Sequence, residues 1–64
     1  PLVFYRAVAS WASELLVENG VGIVEINEAL GNETADVFRV YGFSQVAVLK
    51  DLHDKDRFVK FIKK

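Results

Sequence analysis

The 64-residue chain has no cysteine and no methionine, a single histidine and a single proline. Without cysteine, a disulfide scaffold, a thiolate metal site and a thiol nucleophile are all excluded. With one histidine and no serine in a nucleophile motif, a Ser-His-Asp triad has nothing to be built from. No apolar run extends beyond a few residues, so a transmembrane helix is excluded. There is no basic block either: 8 basic residues against 9 acidic ones leave a net charge of −1, which gives no electrostatic footprint for nucleic acid or an anionic membrane. No basic segment leading into an apolar one opens the chain, so no signal peptide is expected.

What remains is the composition of an ordinary folded chain, 52% hydrophobic and 27% charged, of a size for one domain. Its stability is finely balanced. Burying about 60% of the unfolded surface of so short a chain contributes roughly 94 kcal/mol, against roughly 96 kcal/mol for ordering the residues. A chain in this position leans on a second copy or on a larger parent. A start at Pro1 and the lack of methionine agree with a piece of a longer protein; removal of an initiator methionine ahead of proline is the other reading.

From Leu2 to Val17, Phe4, Val8, Trp11 and Leu15 recur at spacings of four, three and four, with Ala7, Ala12 and Leu16 beside them and Arg6, Ser10, Ser13 and Glu14 opposite. This predicts an amphipathic helix, ended by Asn19-Gly20, residues that tolerate the left-handed conformation. Val21–Ile26 is apolar and β-branched apart from Gly22 and Glu25, and reads as a buried strand. A second helix carries Leu30, Thr34, Val37, Phe38 and Tyr41 on one side; Asn27 and Asn32 are alternative caps, and Gly42 is its stop. Two strands follow, Gln45–Lys50 and Arg57–Ile62, joined by the polar hairpin connection 51–56. The paired apolar residues of Arg57–Ile62 predict a strand covered on both faces over much of its length.

The order helix-strand-helix-strand-strand places a crossover helix between the first two strands, which favours parallel, right-handed pairing. Inserting the hairpin's last strand between them gives an α/β fold with a three-stranded mixed sheet of spatial order 1-3-2, the edge of a larger α/β sheet.

Glu25 is the residue most suggestive of chemistry. A carboxylate in an apolar strand is paired, protonated or at a strand end where a site opens, unless it faces solvent on an uncovered edge. Ligands of open α/β sheets sit beyond the carboxyl ends of the strands, and Glu25, Asn27 and Glu28 lie at such an end. His53 sits among Asp51, Asp54 and Asp56, an arrangement that reads as a solvated turn and not as converging metal ligands. Gly20-Val21-Gly22 precedes a strand and lacks a third glycine, so it is not a phosphate loop. Asn32-Glu33-Thr34 matches a glycosylation sequon by accident in a chain with no secretory signal. Lys60, Lys63 and Lys64 read as a solvated edge.

Taken in order, Phe4-Tyr5-Arg6, Asn19-Gly20, Ile23-Val24-Glu25-Ile26, Gly42-Phe43, Lys50-Asp51-Leu52 and Asp56-Arg57-Phe58-Val59 resemble the C-terminal part of the HemK family, the release-factor glutamine methyltransferases. The resemblance runs from Pro1 to Lys64. It implies a cytoplasmic, S-adenosylmethionine-dependent parent with a class I methyltransferase (Rossmann-like) sheet, which methylates a glutamine side-chain amide of peptide chain release factors in translation termination. Residues 1–64 would be one C-terminal fragment of that catalytic domain, supplying its last three strands. The fragment would be structural and inactive alone, because the family's glycine-rich cofactor loop and Asn-Pro-Pro-Tyr amide clamp belong to earlier parts. No catalytic, cofactor-binding or metal-binding residue carries over. Its partners would be the rest of the parent domain and, through the parent, the release factor, with Glu25, Asn27 and Glu28 as substrate-side candidates. The family often has glycine where Asn27 stands, and commonly where Asp54 stands. The alternative is a free-standing small α/β module that dimerises through a sheet face or edge.

Overall fold

The computed structural model describes residues 2–64; the side chain of Glu28 lies outside the described residues. Helix α1 spans Leu2–Leu15 and strand β1 Val21–Glu25; a 3₁₀ turn, Glu28–Leu30, leads into α2, Gly31–Val40, followed by β2, Ser44–Lys50, and β3, Asp56–Ile62. Asn19 takes the left-handed conformation after α1 (φ 68°) and Gly42 does so after α2 (φ 92°), which frees each helix end to turn back toward the sheet. The choice between caps resolves by division: the Asn27 side chain accepts from the Ala29 N–H at 3.0 Å and starts the 3₁₀ turn, while Asn32 falls inside α2.

The sheet has the order β1-β3-β2. Both ladders are antiparallel, Val24 opposite Val59 on one side of β3 and Val48 opposite Val59 on the other. The expectation of a mixed sheet is therefore corrected. β1 and β2 do point the same way, but the crossover steps over β3, so no parallel ladder forms within the chain.

Both helices pack on the sheet face that carries Val59 and Phe61. Val59 is fully buried and Phe61 nearly so, among Ala9 of α1, Ala35, Val37 and Phe38 of α2, and Ile26 and Phe43. At the centre, the Phe61 ring stacks on Phe38 at 4.1 Å and meets Phe43 edge-on at 4.8 Å, geometries that aromatic rings favour. Thr34 is buried beside them, its hydroxyl without a hydrogen-bond partner among the described residues.

The burial expectations for α1, β1, β3 and Lys63 are corrected. The face of α1 turned inward is Tyr5, Val8, Ala9, Ala12 and Leu16, and of the expected stripe only Val8 takes part; Phe4, Trp11 and Leu15 are exposed. Ala9 and Ala12 let the helix approach closely, which a Trp11 at the contact would prevent. β1, expected to be buried, alternates: Gly22 and Val24 are half-buried beneath α1, whereas Val21, Ile23 and Glu25 are exposed. The face of the sheet that carries Ile23 and Leu49 receives no helix among the described residues, so β3 is fully buried only at Val59 and Phe61, and Phe58, Lys60 and Ile62 stay half-buried. Lys63 is not a solvated edge: its amide donates to the Gly20 carbonyl at 2.8 Å and its ammonium to the Ser13 carbonyl of α1.

Asp54 occupies the left-handed position (φ 62°) of the β2–β3 hairpin. The Asp54 N–H donates to the Asp51 carbonyl at 3.1 Å and the Asp51 N–H to the Lys55 carbonyl at 2.9 Å, a turn followed by a bulge in which glycine is the least strained occupant. Asp54→Gly is expected to stabilise the chain by about 0.5–1 kcal/mol, read as a rise of a few degrees in the thermal midpoint; a fall would show that the Asp54 side chain contributes more than its backbone strain costs.

Candidate functional site

Antiparallel pairing brings the end of β1, the end of β2 and the start of β3 together, so that Glu25 lies opposite Phe58 and Lys50 opposite Asp56. The first turns of both helices meet the same end: Tyr5 of α1 donates its hydroxyl to the Glu25 carbonyl at 2.8 Å, and Gly31 of α2 lies against Asp56. This is the carboxyl end of β1, where a ligand of a larger α/β sheet would sit.

The structure places the three candidates as follows. Glu25 is exposed, the solvent-facing of its two readings. Asn27 is exposed but its side-chain oxygen is engaged as the cap of the 3₁₀ turn. Glu28 begins that turn, and the expectation for its side chain lies outside the described residues. Sequence reasoning missed Tyr5, whose only signal was a polar tip on the inward side of α1, and the clasp around Asp51.

Asp51 organises the hairpin. One carboxylate oxygen accepts from the His53 and Lys55 N–H groups at 2.8 and 3.1 Å, and the other from Arg57 Nε at 3.1 Å. The Lys55 N–H bond, with help from His53 and Arg57, holds its carboxyl below the usual carboxylate range. A lowered folded-state pKa gives stability that is complete above the unfolded value near 4 and is lost as pH falls through the folded one. Wild-type chain is therefore expected to lose stability on acidification below pH 4, and Asp51→Asn to flatten that limb; equal acid limbs in thermal scans would contradict the assignment. On the other hairpin strand, the Asp56 carboxylate 2.9 Å from Lys50 Nζ raises the lysine pKa above its ordinary value. Its contribution is full below the unfolded lysine value and is lost only as pH rises through the raised one.

His53 thus offers its backbone to Asp51, and among the described residues no three His, Asp or Glu side chains gather into a metal set. Nor do the residues fit S-adenosylmethionine. The glycine-containing stretch Gly20-Val21-Gly22 enters β1, and the space beside Gly22 is filled by the Phe61 ring, 2.4 Å from where a Cβ would stand. What this end of the sheet offers is a polar rim: Glu25 and Asn27 beside a hairpin tip at which Leu52 is fully exposed.

The sheet's two edges differ. In the β1–β3 ladder Gly20 accepts from Lys63 and Ile26 donates to Arg57, each at 2.8 Å. Bonded residues alternate along an antiparallel ladder, so Gly22 and Val24 turn their amides inward, and Val21, Ile23 and Glu25 turn theirs outward. On β2, register shifts at Ser44–Ala47 and Leu49–Lys50 break the edge, Gln45 has φ 50°, and Arg39 donates to the Val46 carbonyl at 3.2 Å. Bulges and charged side chains are how edges are closed to further strands. β1 is regular and, apart from the Glu25 carbonyl that accepts from Tyr5, has no edge partner among the described residues, and beside it a groove of about 300 Å³ runs between Trp11 and Leu15 of α1 and Ile23.

The chain is 37% identical over 59 residues to the release factor glutamine methyltransferase of Flavobacterium psychrophilum, and likewise 37% identical over 59 residues to that of Bacteroides thetaiotaomicron. Each match takes in 92% of this chain and 21% of the relative, so the chain spans about a fifth of the length of these curated relatives. The resemblance to the HemK family read from the residues is found in both. No family model matches the chain, and no solved structure does. Of the two positions where the resemblance leads one to expect glycine, Asn27 has an ordinary extended backbone (φ −75°) that requires none, whereas Asp54 takes a left-handed conformation (φ 62°) in which glycine would be less strained.

Proposed function

We propose that this chain is the C-terminal, sheet-closing part of an S-adenosylmethionine-dependent methyltransferase that acts on the glutamine side-chain amide of peptide chain release factors. The observation that carries the structural half is the asymmetry of the sheet: one edge closed by bulges and Arg39, the other regular and flanked by exposed apolar residues. A strand leading into α1 and then β1 would lie parallel beside β1 by the right-handed crossover rule, making this sheet the end of a longer Rossmann-like one. The rest of the parent would cover Trp11, Leu15 and the bare sheet face. The cofactor and the amide would be held by that remainder in the cytoplasm, so the fragment alone is inactive.

The test is amide exchange in the longer protein against the 64-residue chain. The outward N–H of Ile23 is expected to be protected only in the longer protein, with Val48 on the closed edge unchanged. Equal Ile23 exchange in both would overturn the reading. Glu25, Asn27 and Glu28 would then border the surface on which the release factor docks. Glu28→Lys in the longer enzyme is expected to raise the KM for release factor several-fold while leaving cofactor affinity unchanged, and unaltered kinetics would remove the docking role.

A further inference from the structure

We infer that in the longer protein the bare face of the sheet is covered by a helix whose apolar stripe is interrupted by one carboxylate, set against the Lys60 ammonium. This rests on the reading above, that the chain closes a larger sheet, and adds to it the chemistry of the element that completes the second layer.

The pleat and the register place the charge. Val59 and Phe61 point into the helix-covered core, so Lys60 between them points the other way. Ile23 of β1 stands directly opposite it on one side and Ala47 of β2 on the other. Along β3 the next residues on this face are Phe58 and Ile62. Lys60 is therefore the central residue of the middle strand, and each of these four neighbours is apolar. Ile23 is 58% exposed, and Leu49, opposite Phe58, is 37% exposed. The face is apolar and open around a single cation.

The extent of the exposed apolar surface argues that it is covered, and the chain spans only 21% of the relatives it matches. With α1 and α2 on one face, a helix on the other completes the layered arrangement of an α/β sheet. The charge then decides what that helix carries. A lysine at the rim keeps its ammonium in water while its stem lies on apolar surface, but Lys60 has a strand on each side, and a helix laid across this face removes the water above it. Burying an unpaired ammonium costs several kcal/mol. A carboxylate opposite offsets that cost. None is supplied from within the chain: the ion pairs among the described residues are those of Arg39, Lys50 and Arg57, and Glu25, diagonal to Lys60 across the β1–β3 ladder, makes none with it. The acid therefore comes from the covering helix, where a single charge within an apolar stripe also fixes the register at which that helix docks.

Two measurements on the longer protein test this. In amine acetylation read by peptide mass spectrometry, Lys60 is expected to react at least tenfold more slowly than Lys55, which stands exposed in the hairpin; equal rates would overturn the inference. In thermal scans, Lys60→Met, which keeps the stem and removes the charge, is expected to lower the midpoint by several degrees, because the opposing carboxylate is left buried without a partner. Lys60→Arg, which keeps the charge, is expected to lose less than half as much. A Lys60→Met protein at or above the wild-type midpoint, as an ammonium escaping to solvent past Ala47 would give, contradicts the inference, and so does a Lys60→Arg protein that loses as much as Lys60→Met. Should Lys60→Met fail to fold, a folded Lys60→Arg protein supports the pairing and an unfolded one overturns it. The Ile23 amide keeps the two claims apart: a protected Ile23 with a stabilised Lys60→Met removes this inference and leaves the sheet-closing reading, whereas an unprotected Ile23 removes that reading itself.

Discussion

Gly22→Val is expected to destabilise the chain by about 3 kcal/mol, lowering the thermal midpoint by roughly 15 °C. Strand propensity predicts the opposite sign, since valine is favoured in strands and glycine depleted by up to about 1 kcal/mol. The local geometry decides between them. A Cβ at Gly22 would stand 2.4 Å from two carbons of the Phe61 ring. That ring is 2% exposed and held between Phe38 and Phe43, so it cannot swing aside without reopening the core. Glycine is used here because an aromatic ring lies across the backbone. A stabilised variant in a thermal scan would mean that the ring gives way.

Phe38→Ala is expected to abolish the folded state. Truncating a buried phenylalanine costs about 3–5 kcal/mol, whereas a chain of this length has on the order of 3–10 kcal/mol in all. Phe38 is fully buried and joins the cluster at two rings, so the cavity would open where α2 and β3 meet. The measurement is near-ultraviolet circular dichroism, with loss of the aromatic signal at room temperature as the expected result. Leu52→Ala is the control: Leu52 is fully exposed, and surface changes of this kind stay within about 0.5 kcal/mol. A cooperative transition retained by Phe38→Ala would place the core elsewhere.

The order of elements and the sequence of strands across the sheet were legible because they rest on local signals and one topological rule. Asn19 and Gly42 marked the helix ends and take the left-handed conformation, and a hairpin after a crossover led directly to the order 1-3-2. The orientation of α1 was not legible, because the helix is apolar nearly all round. Phe4, Trp11 and Leu15 make as good a stripe as Tyr5, Ala9, Ala12 and Leu16, and only the close approach that alanines allow selects the second. The burial of β1 was misread for a related reason. Its apolar character suits a strand covered on both sides, and this chain supplies cover for one. The candidate site was legible only in its position. Glu25 and Asn27 do lie at the carboxyl end of β1, but what holds that end together is the Tyr5 hydroxyl on a backbone carbonyl and the Asp51 clasp, contacts between residues distant in sequence or hidden in turn geometry.

These misreadings share a direction. Apolar groups expected inside lie along β1 and α1 at the open side of the sheet, while the β2 side is closed. The central claim, that this chain is the closing end of a larger methyltransferase sheet, is tested most directly by methyl transfer itself. The relative from Flavobacterium psychrophilum would be assayed by mass spectrometry of a release-factor glutamine, once with its matched stretch removed and once with residues 2–64 of this chain in its place. The account predicts no methylation from the truncated protein and restored methylation from the chimera; a truncated protein that methylates at the intact rate would contradict it.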